Sequence, residues 1–222
     1  MTSESDLREE ICEAGRRMYA RNLIAATDGN LSARIGEGRY LCTRSGVGLG
    51  DMQASDLVIA DAAGEKLEGD GKVSSEFFTH LAAYEERPDV SAVVHAHPPK
   101  AVALTLAGLS MEEFALPELV VSLGGVPTTA YATPGTKEGG EVIRELIRRC
   151  DALLLDRHGA LTVGNSVFDA YLKMEKVEHA AESLFAAHLL GRVRMMDKGE
   201  IERLLKSRAA YGVTGKHFRP ET

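Results

Sequence analysis

The chain has 222 residues, 44% of them apolar and 27% charged; this is enough for one α/β domain with a substantial core and too apolar for a disordered chain. A formal charge of −7 with no long basic run excludes the electrostatic footprint of a nucleic-acid binder. Cys12, Cys42 and Cys150 are odd in number and outside any CxxC spacing, so they read as reduced thiols rather than a disulfide framework or a cysteine zinc knuckle.

From Ser5 to about Leu23 the apolar residues Leu7, Ile11, Ala14, Met18 and Leu23 recur at helical spacing, with Ser3 or Ser5 available to cap. A turn cluster at 26–30 precedes a predicted hairpin, Leu31 to Ile35 and Tyr40 to Thr43 around Gly36-Glu37-Gly38. A third strand is expected near Leu57 to Ala60, then a solvated connection from Asp61 to Lys72. Ser74 or Ser75 is placed to cap a helix running to about Glu86. Ser91 to His97 reads as a short apolar strand stopped by Pro98-Pro99. Further strands are expected at Leu119 to Leu123, Thr128 to Tyr131 and Ala152 to Leu155, with a helix at about Thr136 to Arg149 between the last two. A long helix from about Ser166 to Leu190 and a shorter one from about Lys198 to Arg208 complete the order. With no repeat or composition break, residues 1–222 read as a single α/β layer structure. The N-terminus is polar and acidic and no apolar run approaches membrane-spanning length, so a cytoplasmic protein without a membrane partner is expected.

His95 and His97 stand two apart at the end of an apparent strand, where side chains alternate, so both imidazoles project from one face. His158 ends a second apolar strand at a glycine-bearing turn. Three protein ligands with one position left open is the arrangement of a catalytic zinc, whereas a structural zinc has four. An isolated HxH is weak evidence for a metal, and His158 alone is weaker still; the combination carries the expectation. His80, His179, His188 and His217 read as structural or solvent-facing, His80 the least securely because it lies one turn after Glu76 on the same helix face.

Residues 27–32, Thr43-Arg44-Ser45-Gly46 and Lys72-Val73-Ser74-Ser75-Glu76 are rich in small hydrogen-bond donors. Each can present N–H groups and hydroxyls to a phosphate, the last at a predicted helix N-terminus, although each taken singly also reads as an ordinary turn or cap. Glu76 then lies within a turn of that anion, in a place for an acid or base; its alternative is a first-turn glutamate complementing the helix dipole. Glu118, beside Pro117, reads by default as a loop charge.

Six ordered segments, Gly29-Asn30-Leu31-Ser32, Thr43-Arg44-Ser45-Gly46, Ser74-Ser75-Glu76, Val94-His95-Ala96-His97, Tyr131-Ala132-Thr133-Pro134-Gly135-Thr136 and Arg157-His158-Gly159, span nearly the whole chain. Together they resemble the class II aldolase and adducin head-domain family, with the nearest likeness to its fuculose-phosphate aldolases. The resemblance implies a three-layer α/β/α fold with a mixed central sheet, and a C4 homotetramer with active sites at subunit interfaces. It also implies metal ligands at His95, His97 and His158, holding Zn2+ or alternatively Mn2+, and a catalytic glutamate at Glu76. Phosphate-binding positions are implied at Asn30, Ser45, Gly46, Ser74 and Ser75. Tyr211 matches a tail tyrosine that reaches a neighbouring subunit's site, and Glu118 stands where the fuculose-phosphate enzymes have a catalytic tyrosine. The implied activity is cleavage of a ketose 1-phosphate to dihydroxyacetone phosphate and an aldehyde. A dehydratase, decarboxylase or 4-epimerase on the same scaffold is the enzymatic alternative, and a non-catalytic adducin-like scaffold the other. Glu76 would be best suited to shuttle a proton if burial raised its carboxyl pKa toward neutrality.

Overall fold

Ser3 opens the first helix as its N-cap, accepting from the Asp6 N–H while Asp6 returns a bond to the Ser3 N–H. In the computed structural model, which describes residues 3–220, this helix is α1 (Glu4–Ala20). The chain continues through β1 (Asn30–Gly36), β2 (Arg39–Thr43), β3 (Leu57–Asp61), β4 (Lys66–Glu68), α2 (Phe77–Glu86), β5 (Ala92–Ala96) and α3 (Pro99–Leu106). It ends with α4 (Pro117–Ser122), α5 (Lys137–Ile147), β6 (Ala152–Leu155), β7 (Gly159–Gly164), α6 (Val167–Leu189) and α7 (Lys198–Ser207).

The seven strands form one sheet in the order β4-β3-β2-β1-β5-β7-β6. Every pairing between them is antiparallel. Parallel partners among the described residues are isolated bridges, Thr128 with Leu154 and Gly124 with Phe218. Alternation along each strand splits the core into two layers. Leu31, Ala33, Leu41, Ile59, Val94 and Leu154 pack with residues of α1, α3 and α6 on one face. Tyr40, Cys42, Val58, Val93, Leu153 and Leu161 pack with α2 and α5 on the other. The fold is thus the expected three-layer α/β/α arrangement of a class II aldolase-like protein. His95 has the parity of Val93, so it faces the α2 layer.

The strand pairings are antiparallel where a mixed sheet was expected, β4 lies within the expected solvated connection and β7 had no sequence expectation, and three further segments differ. Leu119 to Leu123 lies largely in α4, a helix rather than a strand; Pro117 at its first turn supplies the helical φ, and Leu119, Val120 and Leu123 are buried. Thr128 to Tyr131 forms only an isolated bridge to Leu154. Pro98-Pro99 ends β5 but also begins α3, with Glu178 of α6 accepting from the Lys100 and Ala101 N–H groups. Proline at a helix start loses nothing, because that N–H has no intrahelical partner.

Candidate metal centre

β5 sits between β1 and β7, so its last residues are held from both sides, with Asn30 opposite His95 on one flank and Leu161 opposite it on the other. His95 Nδ1 donates to the Ala160 carbonyl oxygen at 2.9 Å. That bond fixes the tautomer and leaves Nε2 with a free lone pair aimed into the site. His97, just past the strand, is tethered by its N–H to the Leu23 carbonyl oxygen, and its Nδ1 lies 3.5 Å from Asp28 Oδ2. The turn delivering His158 is built on Arg157, whose φ of 55° is left-handed, with the Arg157 N–H donating to Thr105 Oγ1 at 3.1 Å. A non-glycine residue in that region costs on the order of 1 kcal/mol.

The three rings meet with centroids 4.8 to 4.9 Å apart. His95 Nε2 and His97 Nε2 are 3.0 Å apart. The fourth member is Glu76, whose Oε2 lies 3.2 Å from His95 Nε2 and whose Oε1 lies 3.1 Å from His158 Nε2. All four ligand atoms fall within 4.8 Å of one another. Tetrahedral zinc with bonds of about 2.1 Å needs ligand atoms roughly 3.4 Å apart; separations of 3.0 to 3.2 Å lie near that value, and the wider ones, within 4.8 Å, reach it by small side-chain adjustments around a divalent ion. Three imidazoles and one carboxylate accept zinc, and other divalent first-row metals as well.

The electrostatics agree with a built cation site. Burial pushes the Glu76 carboxyl up, but the adjacent His95 and His158 outweigh it and the net direction is down. The condition that burial raise this pKa is therefore not met: the imidazoles beside the carboxyl outweigh the burial. Burial, followed by His95 and His158, pushes His97 down to about 4, which leaves it neutral and ready to ligate at neutral pH.

Around this centre the expected phosphate positions are grouped but differ in exposure. Asn30 is buried and donates from Nδ2 to Glu76 Oε2 at 2.9 Å. The loop of Ser45 and Gly46 lies beside the loop of Ser74 and Ser75, joined by the Ser45 N–H to the Lys72 carbonyl oxygen at 2.8 Å and by the Arg44 bridge to Val73. Ser74 Oγ accepts from the Glu76 N–H at 3.3 Å. The helix begins only at Phe77 with no side-chain cap, so the two serines sit on a free turn ahead of it. Glu118, in the first turn of α4, and Tyr211, 69% exposed, do not line the cavity bounded by Glu76, His158, Thr129, Thr133 and Pro134. Sequence reasoning missed Glu76 as a donor beside the histidines, as well as Asp28 behind His97. Its reading of His80 as structural or solvent-facing resolves to a buried residue, 1% exposed.

A layered fold with three histidines and a carboxylate around one point defines the class of metal-site proteins built on the aldolase II scaffold. The chain belongs to the Class II Aldolase and Adducin N-terminal domain family, which it matches over residues 9–185. It is 33% identical over 207 residues to the 5-deoxy-D-ribulose 1-phosphate aldolase of Bacillus thuringiensis serovar kurstaki, covering 92% of this chain and 96% of the relative. It is 35% identical over 207 residues to the 3-oxo-tetronate 4-phosphate decarboxylase of Escherichia coli, covering 90% and 96%. Among solved structures, an L-fuculose 1-phosphate aldolase superposes with a TM-score of 0.84 at 29% identity, covering 93% of this chain and 97% of that one.

Proposed function

We propose that the protein is a divalent-metal-dependent sugar-phosphate lyase that cleaves a ketose 1-phosphate to dihydroxyacetone phosphate and an aldehyde. The observation carrying this reading is the convergence of His95, His97, His158 and Glu76 within 4.8 Å, next to the serine turn that precedes α2. A bound cation, zinc by preference, supplies Lewis-acid stabilisation of the negative charge left on the ketose fragment, worth several kcal/mol. The rest is done by the chain. The hydroxyls of Ser45, Ser74 and Ser75 and the Gly46 N–H, with the Asn30 amide, grip the phosphate and so fix the distance from that anion to the histidines. Glu76 closes the donor set at rest. As the only acidic member of the group, Glu76 would carry the proton at the carbon beside the carbonyl. Glu118 and Tyr211 act at the aldehyde oxygen from a neighbouring subunit of a homotetramer.

A decarboxylase or dehydratase is the second reading, favoured by the 35% identity to the 3-oxo-tetronate 4-phosphate enzyme, because loss of carbon dioxide leaves the same kind of charge beside a carbonyl. The test is metal analysis of the purified protein, then products of the zinc-reconstituted protein on fuculose, rhamnulose, ribulose and methylthioribulose phosphates and on 3-oxo-tetronate 4-phosphate. Triose phosphate plus aldehyde is the expected outcome, abolished by chelator. Glu76→Gln is expected to keep the metal on its three histidines and lose turnover by about 100-fold or more. Carbon dioxide or water loss in place of cleavage assigns the second reading, and protein without stoichiometric metal overturns both.

A further inference from the structure

Glu76 has no capping bond of its own and stands just ahead of α2, so its carboxylate is only as well placed as α2 is on the sheet. Apolar packing with α5 and the sheet holds α2 in its layer, and a buried polar ladder against β1 adds direction along the helix, every second strand residue meeting every fourth helix residue. Asn30 donates to Glu76 Oε2 at 2.9 Å. Ser32 Oγ lies 2.7 Å from His80 Nδ1 and 2.9 Å from the Tyr84 hydroxyl. Arg34 donates to the Tyr84 carbonyl oxygen at 3.3 Å, with its guanidinium 5.0 Å over the Tyr84 ring. Two strand residues advance about 6.7 Å and four helix residues about 6.0 Å, so three rungs drift out of step by only about 1.4 Å.

The middle rung is the most enclosed, with Ser32 at 0% exposure, His80 at 1% and Tyr84 at 2%. Such a cluster is costly unless its geometry is met, and an apolar pair would pack the same two elements at less cost. Its gain is direction: an apolar contact tolerates a slide along the helix, a short hydrogen bond does not. His80 Nε2 has no hydrogen-bond partner, so Ser32 is the ring's single polar anchor. The Asn30 bond does not substitute for this rung, because it ends on the carboxylate that has to be placed.

We propose that His80, held by Ser32, is a positioning residue for Glu76: their bond sets the register of α2 on β1 and thereby seats the Glu76 carboxylate between His95 and His158. Its kinetic consequence rests on the reading of Glu76 as proton carrier; its consequence for metal affinity does not. The experiment compares His80→Leu, His80→Asn, Ser32→Ala and the Ser32→Ala/His80→Leu double variant. Leucine fills the space without a polar atom, whereas asparagine returns an amide atom near the Nδ1 position. For each, Co2+ affinity is measured by titration, kcat and KM on the substrate found for the wild type, and the melting temperature. His80→Leu is expected to lower kcat by about tenfold or more, with KM within about twofold, and to weaken Co2+ binding. His80→Asn is expected to restore both, and the double variant to be no worse than the worse single. Equal Co2+ affinity in His80→Leu and wild type overturns the proposal. So does an equal deficit in His80→Asn, losses that track melting temperature alone, or additive losses in the double variant. If no sugar phosphate is turned over by the wild type, the lyase reading fails and the Co2+ titrations still decide this one.

Discussion

The Ala160 carbonyl and His80 show how single atoms set the state of this site. By accepting the hydrogen bond from His95 Nδ1–H, the carbonyl keeps Nε2 available for an ion. His80 is neutral for another reason: burial pushes its pKa from 6.5 down to about 3. The groups facing it are the Ser32 hydroxyl, which also bonds that of Tyr84, and the Phe77 ring, with His95 disfavouring its charge and Glu76 favouring it. The sign of the stability effect follows. Below pH 6.5 the unfolded chain takes up a proton at this residue that the folded chain refuses until about pH 3. Stability is therefore full above that range and is lost as pH falls through it, by about 1.4 kcal/mol per unit for one proton. Urea unfolding of metal-free protein between pH 7.5 and 4.5 should show a shallower slope in His80→Asn than in wild type. Identical slopes would mean that the imidazole is not kept neutral by its surroundings.

At the level of elements, the site was readable where a local period carried it and opaque where distant elements meet. His95 and His97 could be placed on one face from strand alternation alone, and His158 from the apolar run that delivers it. Glu76 as a fourth donor was not readable, because its place depends on α2 crossing the face of β5. Leu119 to Leu123 was misread since a short apolar run has no period to separate strand from helix. β7 escaped notice because all of its residues are buried, leaving no alternation. That strand's first residue, Gly159, carries a prediction. A Cβ there would overlap the Ala96 carbonyl oxygen and come within 2.9 Å of His97 Cδ2 and 3.0 Å of His95 Cε1. The strand pair must then part at the point where it holds two of the histidines. Gly159→Ala is expected to cost about 1–3 kcal/mol of stability, as overpacking does, and to weaken metal binding measurably. Unchanged zinc affinity would show that β5 and β7 yield without moving the rings.

Across the whole molecule, the carboxylate and phenol assigned to the aldehyde end of the reaction lie on a separate platform. Arg208, just beyond α7, donates to the Val121 carbonyl oxygen at 3.0 Å, and the Phe218 N–H to that of Leu123 at 2.9 Å. These bonds pin the tail to α4, leaving Glu118 and Tyr211 exposed on the platform and off the cavity of their own chain. On the proposed reading such exposed groups serve the site of another copy, which a closed ring of identical subunits would provide to every site at once. Mixing inactive variants tests this. A site in a ring assembled from equal parts of Glu76→Gln and a Glu118→Gln/Tyr211→Phe double variant is complete when its own chain has Glu76 and its neighbour has the other two. Independent assortment gives about one quarter of wild-type activity from two inactive parents. The co-refolded mixture should recover that fraction, whereas the two proteins mixed after separate assembly should not. No recovery on co-refolding would mean that the two residues do not serve a neighbour's site, and a double variant that is itself active would remove them from the chemistry.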